Sequence, residues 1–226
     1  MATGKAFEGV FAINKPVGLS SAQVIRDCQE KFNPSELFRP LLAQEQAARD
    51  REPKNQWRRR GKNKKELSVK MGHGGTLDPL ATGVLILGVG KGTKQLSNFL
   101  GCTKSYETVA LFGASTDTYD RVGRIIKKGD YSQVTREAVE EALKSFKGRI
   151  KQIPPLYSAL KMNGKPLYEY AREGKAIPRE IETREVDVAK MELVEWYKPG
   201  THNHRWPAEE AEESEKKLVN AVGVRS

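Results

Sequence analysis

Long apolar runs are missing from this 226-residue chain. The longest nearly uncharged one, residues 81–90, is about half of the roughly 20 residues a membrane-spanning helix needs, so a soluble chain without a membrane partner is expected. Cysteine is almost absent as well. Cys28 and Cys102 stand alone, with no CxxC pair and no apolar leader, which argues against a disulfide framework and a thiolate zinc site and for a reducing compartment. Histidine is scarce too: His73 has no second histidine at ligand spacing, so no metal is expected. The glycine-rich GHGG stretch lacks the GK[ST] ending of a phosphate-binding loop, and no organic cofactor is signalled.

Acidic residues are the minority charge, 29 against 39 basic ones, for a net charge of +10. Residues 51–70 hold nine Lys/Arg against two Glu, whereas residues 208–217 hold five Glu against two Lys. Positive charge therefore survives outside the basic segment. That distribution favours a polyanionic partner, nucleic acid first, over a single solvated basic loop.

Alternation predicts a first strand over residues 7–14, broken by Lys15-Pro16-Val17-Gly18. Ser20 or Ser21 can cap a helix with Val24, Ile25, Cys28 and Phe32 on one face, ending near Asn33-Pro34. From residue 34 to 70 the apolar period fades, and this stretch reads as a basic, partly mobile insertion. The segment 72–79 is rich in turn formers and leads into an apolar strand, 84–89. A short helix over 93–100, a strand over 104–112 and turn chemistry over 113–123 follow. Thr135 caps a helix with Ala138, Val139, Ala142, Leu143 and Phe146 on its apolar face. A turn at Asn163-Gly164 precedes a short helix, 167–173, and residues 184–196 read as a long strand. Strands and helices without regular βαβ repetition predict an α+β fold, a mixed and mainly antiparallel sheet with flanking helices.

Several residues could carry chemistry. Asp78 sits between a glycine-rich turn and a buried strand, where an ionised carboxylate can act as nucleophile or base. Asp followed by Pro is equally a common helix start. His73 is either a satisfied turn residue or a ring that stacks on a nucleobase. Tyr106 is either strand core or a platform for an extruded base. Asp117 and Asp120 read as a turn-capping pair.

Six ordered blocks carry a family resemblance: GVFAINKPVGLSS (9–21), GHGGTLDPLATGVL (72–85), GKGTK (90–94), KSYE (104–107), FGASTDTYDRVG (112–123) and QIPPLYSALKMNGKPLYEYAREG (152–174). Through them the chain resembles the TruB family of pseudouridine synthases, and within it the stand-alone, fungal-type enzymes acting on uridine 55 in the T-loop of tRNA. The resemblance implies a metal-free and cofactor-free RNA isomerase, expected to be a monomer. It makes Asp78 the catalytic carboxylate, places Tyr106 under the target base and inserts His73 where the flipped nucleotide was. Lys15 and Pro16 match a motif that supports the active-site loop. RNA contacts are expected from Lys15, Lys94, Lys104, Tyr157, Lys161 and Arg172, and from Arg58, Arg59, Arg60, Lys64 and Lys65 in the insertion. Residues 1–198 would form the catalytic domain with its insertion at 34–70.

The chain also departs from the family pattern. No G-x-Y-[IV]-R-x-L strand follows residue 196, and the Glu-rich stretch over 199–226 is expected to be an atypical, disordered acidic tail. A C-terminally truncated domain with little activity of its own is therefore expected. The alternatives are a non-catalytic RNA-binding or RNA-folding relative and a guide-dependent rRNA enzyme. The run over 58–65 also reads as a nuclear import signal, and nucleus or mitochondrion, with cytoplasm as the alternative, is the expected location.

Overall fold

Alternation of large apolar residues builds the central strand of the first half. In β3, Gly83–Val89, Leu85, Leu87 and Val89 are buried on one face while Val84 is exposed, the period of two that a pleated strand imposes. β3 pairs antiparallel with β1, Gly9–Lys15, along its whole length, and with β2, Met71–His73, on its other edge. Helix α1, Ser21–Phe32, begins where the Ser20 hydroxyl accepts from the Gln23 amide at 3.1 Å. Its Val24 packs with Leu85 and Leu87, joined by Ile13, Ile25, Cys28 and Leu77.

The computed structural model describes residues 6–51, 67–158 and 160–221. Arg58, Arg59, Arg60, Lys64 and Lys65, expected as RNA contacts, lie outside the described residues. The insertion is not featureless where it is described. Helix α2, Arg39–Asp50, occupies its first part, with Pro40 in the first turn, where the missing N–H costs nothing. Phe38 and Leu41 form a core cluster with Val69 and Val89, and Phe38 stacks on Phe32 with ring centroids 4.4 Å apart. The apolar period over 34–50 is short, because only Phe38, Leu41 and Leu42 face the sheet. That is why it reads as a fading pattern.

A six-residue 3-10 turn, Gly90–Gln95, and the short α3, Ser97–Leu100, follow β3. Gly92 is required there: a Cβ at this position would lie 1.9 Å from the Gly9 carbonyl oxygen.

By its contacts the chain divides into two compact units, Met1–Tyr106 and Glu107–Ser226. The second holds three small antiparallel pairs. β4, Ala114–Thr116, pairs with β5, Ile125–Lys128; β6, Gly148–Gln152, pairs with β9, Arg184–Val188; β7, Lys161–Met162, pairs with β8, Lys165–Pro166. Asn163 and Gly164 both adopt positive φ, 50° and 78°, as a two-residue hairpin demands. Helices α4, Arg136–Leu143, and α5, Leu167–Arg172, fall where capping and periodicity place them, with the Thr135 hydroxyl accepting from the Ala138 amide. Small antiparallel sheets flanked by helices fulfil the α+β expectation.

Three expectations are corrected. Residues 104–112 form no strand: the stretch alternates, but no neighbour pairs with it among the described residues, and Val109 stays 57% exposed. The long strand over 184–196 stops at Val188, opposite Gly148 at the start of β6, beyond which β6 offers it no partner. The acidic stretch beyond residue 199 is not featureless either, for it carries α6, Glu213–Ala221, with Ala211 and Val219 buried.

Truncating Leu41 to Ala is expected to lower stability by about 2–4 kcal/mol, since the side chain is nearly buried against the sheet. Leu37→Ala, four residues earlier and 48% exposed, is expected to stay within about 0.5 kcal/mol. Urea unfolding of both variants checks that the insertion belongs to the core.

Candidate active site

The last residue of β1 organises the site. Lys15 pairs with Gly83 at the start of β3 and is fully buried. An ammonium taken out of water costs several kcal/mol unless every donor is met. Here Nζ donates to the Pro16 carbonyl at 2.9 Å, the Leu19 carbonyl at 2.6 Å and the Pro79 carbonyl at 3.3 Å. The Pro79 carbonyl also accepts from the Gly18 amide at 2.7 Å. Ser21 completes the clamp: its hydroxyl donates to the Leu77 carbonyl at 3.1 Å and accepts from the Leu77 amide at 2.9 Å. Leu77 and Pro79 are therefore both fastened to the segment 15–21, one on each side of Asp78.

Asp78 is held by its neighbours and by its own backbone. Its carbonyl accepts from the Ala81 amide at 3.0 Å, closing a turn that enters β3. No helix starts there, so the helix-cap reading fails: Pro79 directs the chain into the turn and Gly83 into the strand. The Asp78 side chain is exposed, and its carboxylate has no hydrogen-bond or ion-pair partner among the described residues. The result is a charged group on a loop that is rigid on both flanks and open to solvent. That arrangement presents a carboxylate to an incoming molecule without prior rearrangement.

His73 closes β2 at the entry of the same loop, opposite Leu87. The Gly74 amide donates to the Ile86 carbonyl at 2.9 Å, and His73 Nδ1 lies 2.8 Å from the Gly75 carbonyl oxygen. A carbonyl can only accept, so Nδ1 carries the proton and Nε2 is left for another contact. The half-buried ring is thus fixed in tautomer and orientation.

The structure does not bring every expected residue to this loop. Lys15 was expected to touch RNA. Burial and three carbonyl acceptors remove it from that role, and it is a positioning residue. Lys104 is exposed, but its ammonium caps the end of α3 through the Phe99, Leu100 and Cys102 carbonyls, at 3.3, 2.9 and 2.9 Å. Tyr106 is 76% exposed on an unpaired stretch and makes no hydrogen bond among the described residues. Lys94 sits exposed on the 3-10 turn at the far end of β3, about 20 Å along the strand from the Asp78 end at roughly 3.4 Å per residue.

In the second unit, Tyr157 is half-buried, and burial is the main cause that pushes its hydroxyl above the usual tyrosine range, with Asp117 and Glu215 adding to it. The Arg172 guanidinium lies 5.1 Å over the Tyr168 ring, and Lys161 is exposed on β7. Asp117 and Asp120 cap a turn, as expected. Asp117 accepts from the Arg124 amide at 2.8 Å, and Asp120 from the Val122 and Gly123 amides at 3.0 and 3.1 Å. Among the described residues, no group of three potential metal ligands is assembled, and no helix is long and apolar enough to cross a membrane.

Sequence reasoning missed Ser21 as a brace. The doublet Ser20-Ser21 held a usable signal, because one hydroxyl suffices to cap α1 and leaves the other for a second task. The Leu19 and Pro79 carbonyls had no signal at all, since any residue supplies a carbonyl.

The TruB family pseudouridylate synthase N-terminal domain matches residues 59–209. The chain is 45% identical to tRNA pseudouridine synthase 4 of Schizosaccharomyces pombe over 217 residues, which cover 93% of this chain and 51% of that protein. It is 43% identical to tRNA pseudouridine synthase 4 of Saccharomyces cerevisiae over 82% of this chain and 47% of that protein. It is 38% identical to the pseudouridylate synthase TRUB1 of Mus musculus over 86% of this chain and 52% of that protein. The chain thus spans about half the length of the curated relatives it matches.

Replacing Ser21 by Ala is expected to strand the Leu77 amide and carbonyl together, at a cost of about 1–3 kcal/mol. Hydrogen exchange checks it. The Leu77 amide should lose its protection while Val24, one turn into α1, keeps its own.

Proposed function

The chain belongs to the TruB family of pseudouridine synthases, and from that premise we propose that it is an RNA-modifying isomerase converting uridine to pseudouridine in tRNA, at position 55 of the T-loop. The observation that carries this reading is the Asp78 loop: an unpartnered carboxylate on a segment clamped at Leu77 and Pro79. The relatives named as tRNA pseudouridine synthases support the substrate class.

The reaction asks little of the protein beyond such a group. The bond between C1′ of ribose and N1 of uracil breaks, the base turns, and C1′ is rejoined to C5. N1 gains a proton and C5 loses one, so no atom is added or removed and no oxidant or metal is called for. A fixed carboxylate can stabilise a sugar with cationic character or add to the base. Asp78 is assigned that role, and Tyr106 is assigned the face of the target base.

A stacked uridine hides its glycosidic bond and must be extruded, at an unstacking cost of a few kcal/mol. His73, with Nε2 left for a contact and its ring held by the Gly75 carbonyl, suits the space the nucleotide vacates. Exposed Lys94, Lys161 and Arg172 would contribute phosphate contacts, joined by the basic run over 58–65, and the shape of the folded loop would select the substrate. The protein is read as acting as a monomer, and the basic run supports a nuclear address.

Asp78→Asn keeps the shape of the side chain and removes its charge. With the change made in the complete enzyme, isomerisation of unmodified tRNA is expected to fall by far more than tenfold, with tRNA affinity nearly unchanged, when tritium release from C5 and filter binding are measured on the same preparations. Turnover within tenfold of the unmutated protein would remove Asp78 from the chemistry.

A further inference from the structure

The Glu-rich segment does more than follow the second unit: it completes it. The Ile125 amide donates to the Glu209 carbonyl at 2.9 Å and the Ala211 amide donates to the Ile125 carbonyl at 2.9 Å, so residues 209–211 lie parallel along the free edge of β5. The side chains match as well. Arg124 Nη1 lies 2.7 Å from Glu215 and its Nε 3.4 Å from Glu209, while Lys128 pairs with Glu210. Three carboxylates thus engage the two cations at the ends of β5, Arg124 just before the strand and Lys128 as its last residue. Arg121 and Lys127, exposed nearby in sequence, have no partner among the described residues.

We propose that the segment 209–215 is a displaceable acidic cover, and that its carboxylates occupy on Arg124 and Lys128 the places that RNA phosphates take when the cover leaves. This rests on the reading of the protein as an RNA-binding enzyme. Glu209 and Glu210 reach the two cations from the extended segment and Glu215 reaches Arg124 from α6, so negative charges drawn from two elements gather on Arg124 and Lys128 as the phosphates of a folded RNA would. The charge of Glu215 is felt at the Tyr157 hydroxyl together with those of Arg124 and Arg172, so the cover sits among residues already expected to meet RNA. Apart from the buried Ala211, its hold is polar and suited to release. The ion-pairing side chains are about half exposed or less at Arg124, Lys128 and Glu210 and mostly exposed at Glu209, and exposed pairs bind weakly and are screened by salt. The backbone bridge is only one residue pair long.

The test uses the full chain and an unmodified tRNA transcript. The triple variant Glu209→Gln, Glu210→Gln, Glu215→Gln keeps side-chain size and removes the competing charge. A control triple variant, Glu141→Gln, Glu180→Gln, Glu182→Gln, removes the same charge from exposed positions of the same unit. Fluorescence anisotropy across a salt series is expected to show the first variant binding tRNA at least about fivefold more tightly than the control. Its log affinity should fall with log salt at the slope of the control, because both complexes make the same phosphate contacts once the cover has left. In the unmutated protein, saturating tRNA should speed hydrogen exchange at the Ala211 and Ile125 amides. Equal tightening by the control, or Ala211 protection unchanged under saturating tRNA, would overturn the cover and make the segment a permanent third strand. If neither the unmutated chain nor the variant binds tRNA, the reading as an RNA enzyme falls, and the cover with it.

Discussion

A buried ammonium is the constraint around which the first unit is arranged. Lys15 must find three acceptors in a region from which water is excluded, because leaving one hydrogen unmet would cost more than most single contacts contribute. Two acceptors come from its own turn, Pro16 and Leu19, and the third from Pro79, 64 residues later. Meeting that third acceptor fixes the distance between the β1–α1 turn and the loop before β3. The register of β1 on β3 sets Lys15 opposite Gly83, where that loop enters β3, and α1 begins from the Ser20 cap a few residues on. Asp78 inherits its place from this network without contributing a side-chain atom to it. The division of labour suits a reactive carboxylate: were its oxygens used to hold the loop, they would be occupied before a substrate arrived.

Local features of the fold were legible in the sequence because they are local. The β1 break at Pro16-Val17-Gly18, the Ser20 and Thr135 caps and the Asn163-Gly164 hairpin all follow from chemistry within four residues. What failed was whatever depends on a partner far along the chain. Residues 104–112 have the alternation of a strand but nothing beside them among the described residues, and alternation supplies a face, never a neighbour. Helix α2 escaped notice for the converse reason, since its three apolar contacts gain meaning only once Val69 and Val89 stand opposite. Of the site, the carboxylate at position 78 was readable, and the supporting character of Lys15-Pro16 came only from the family resemblance. That Lys15 is sealed from solvent was not readable. A basic residue in a basic protein suggests RNA, and only the buried strand end shows that its charge is spent on carbonyls.

The two units handle charge differently. In the first, a cation is hidden and satisfied by backbone, which makes it insensitive to salt and useful for holding a loop. In the second, Arg124 and Lys128 are met by Glu209, Glu210 and Glu215 near the surface, where pairing is weak and exchangeable. The net charge of +10 thus contains a buried structural cation, which cannot meet a polyanion, besides surface cations, which can.

The central claim is that the Lys15 ammonium, through Leu19 and Pro79, sets the loop that carries Asp78. Native-state hydrogen exchange on Lys15→Met tests it most directly, because methionine keeps the length and burial of the side chain and removes only its donors. The account predicts that the Gly18 and Ala81 amides, which donate to the Pro79 and Asp78 carbonyls, lose protection by at least about tenfold, or about 1.4 kcal/mol of local stability, while the Leu42 amide in α2 is unchanged. Protection of Gly18 and Ala81 equal to that of the unmutated protein would contradict it, and would leave the loop held by Ser21 alone.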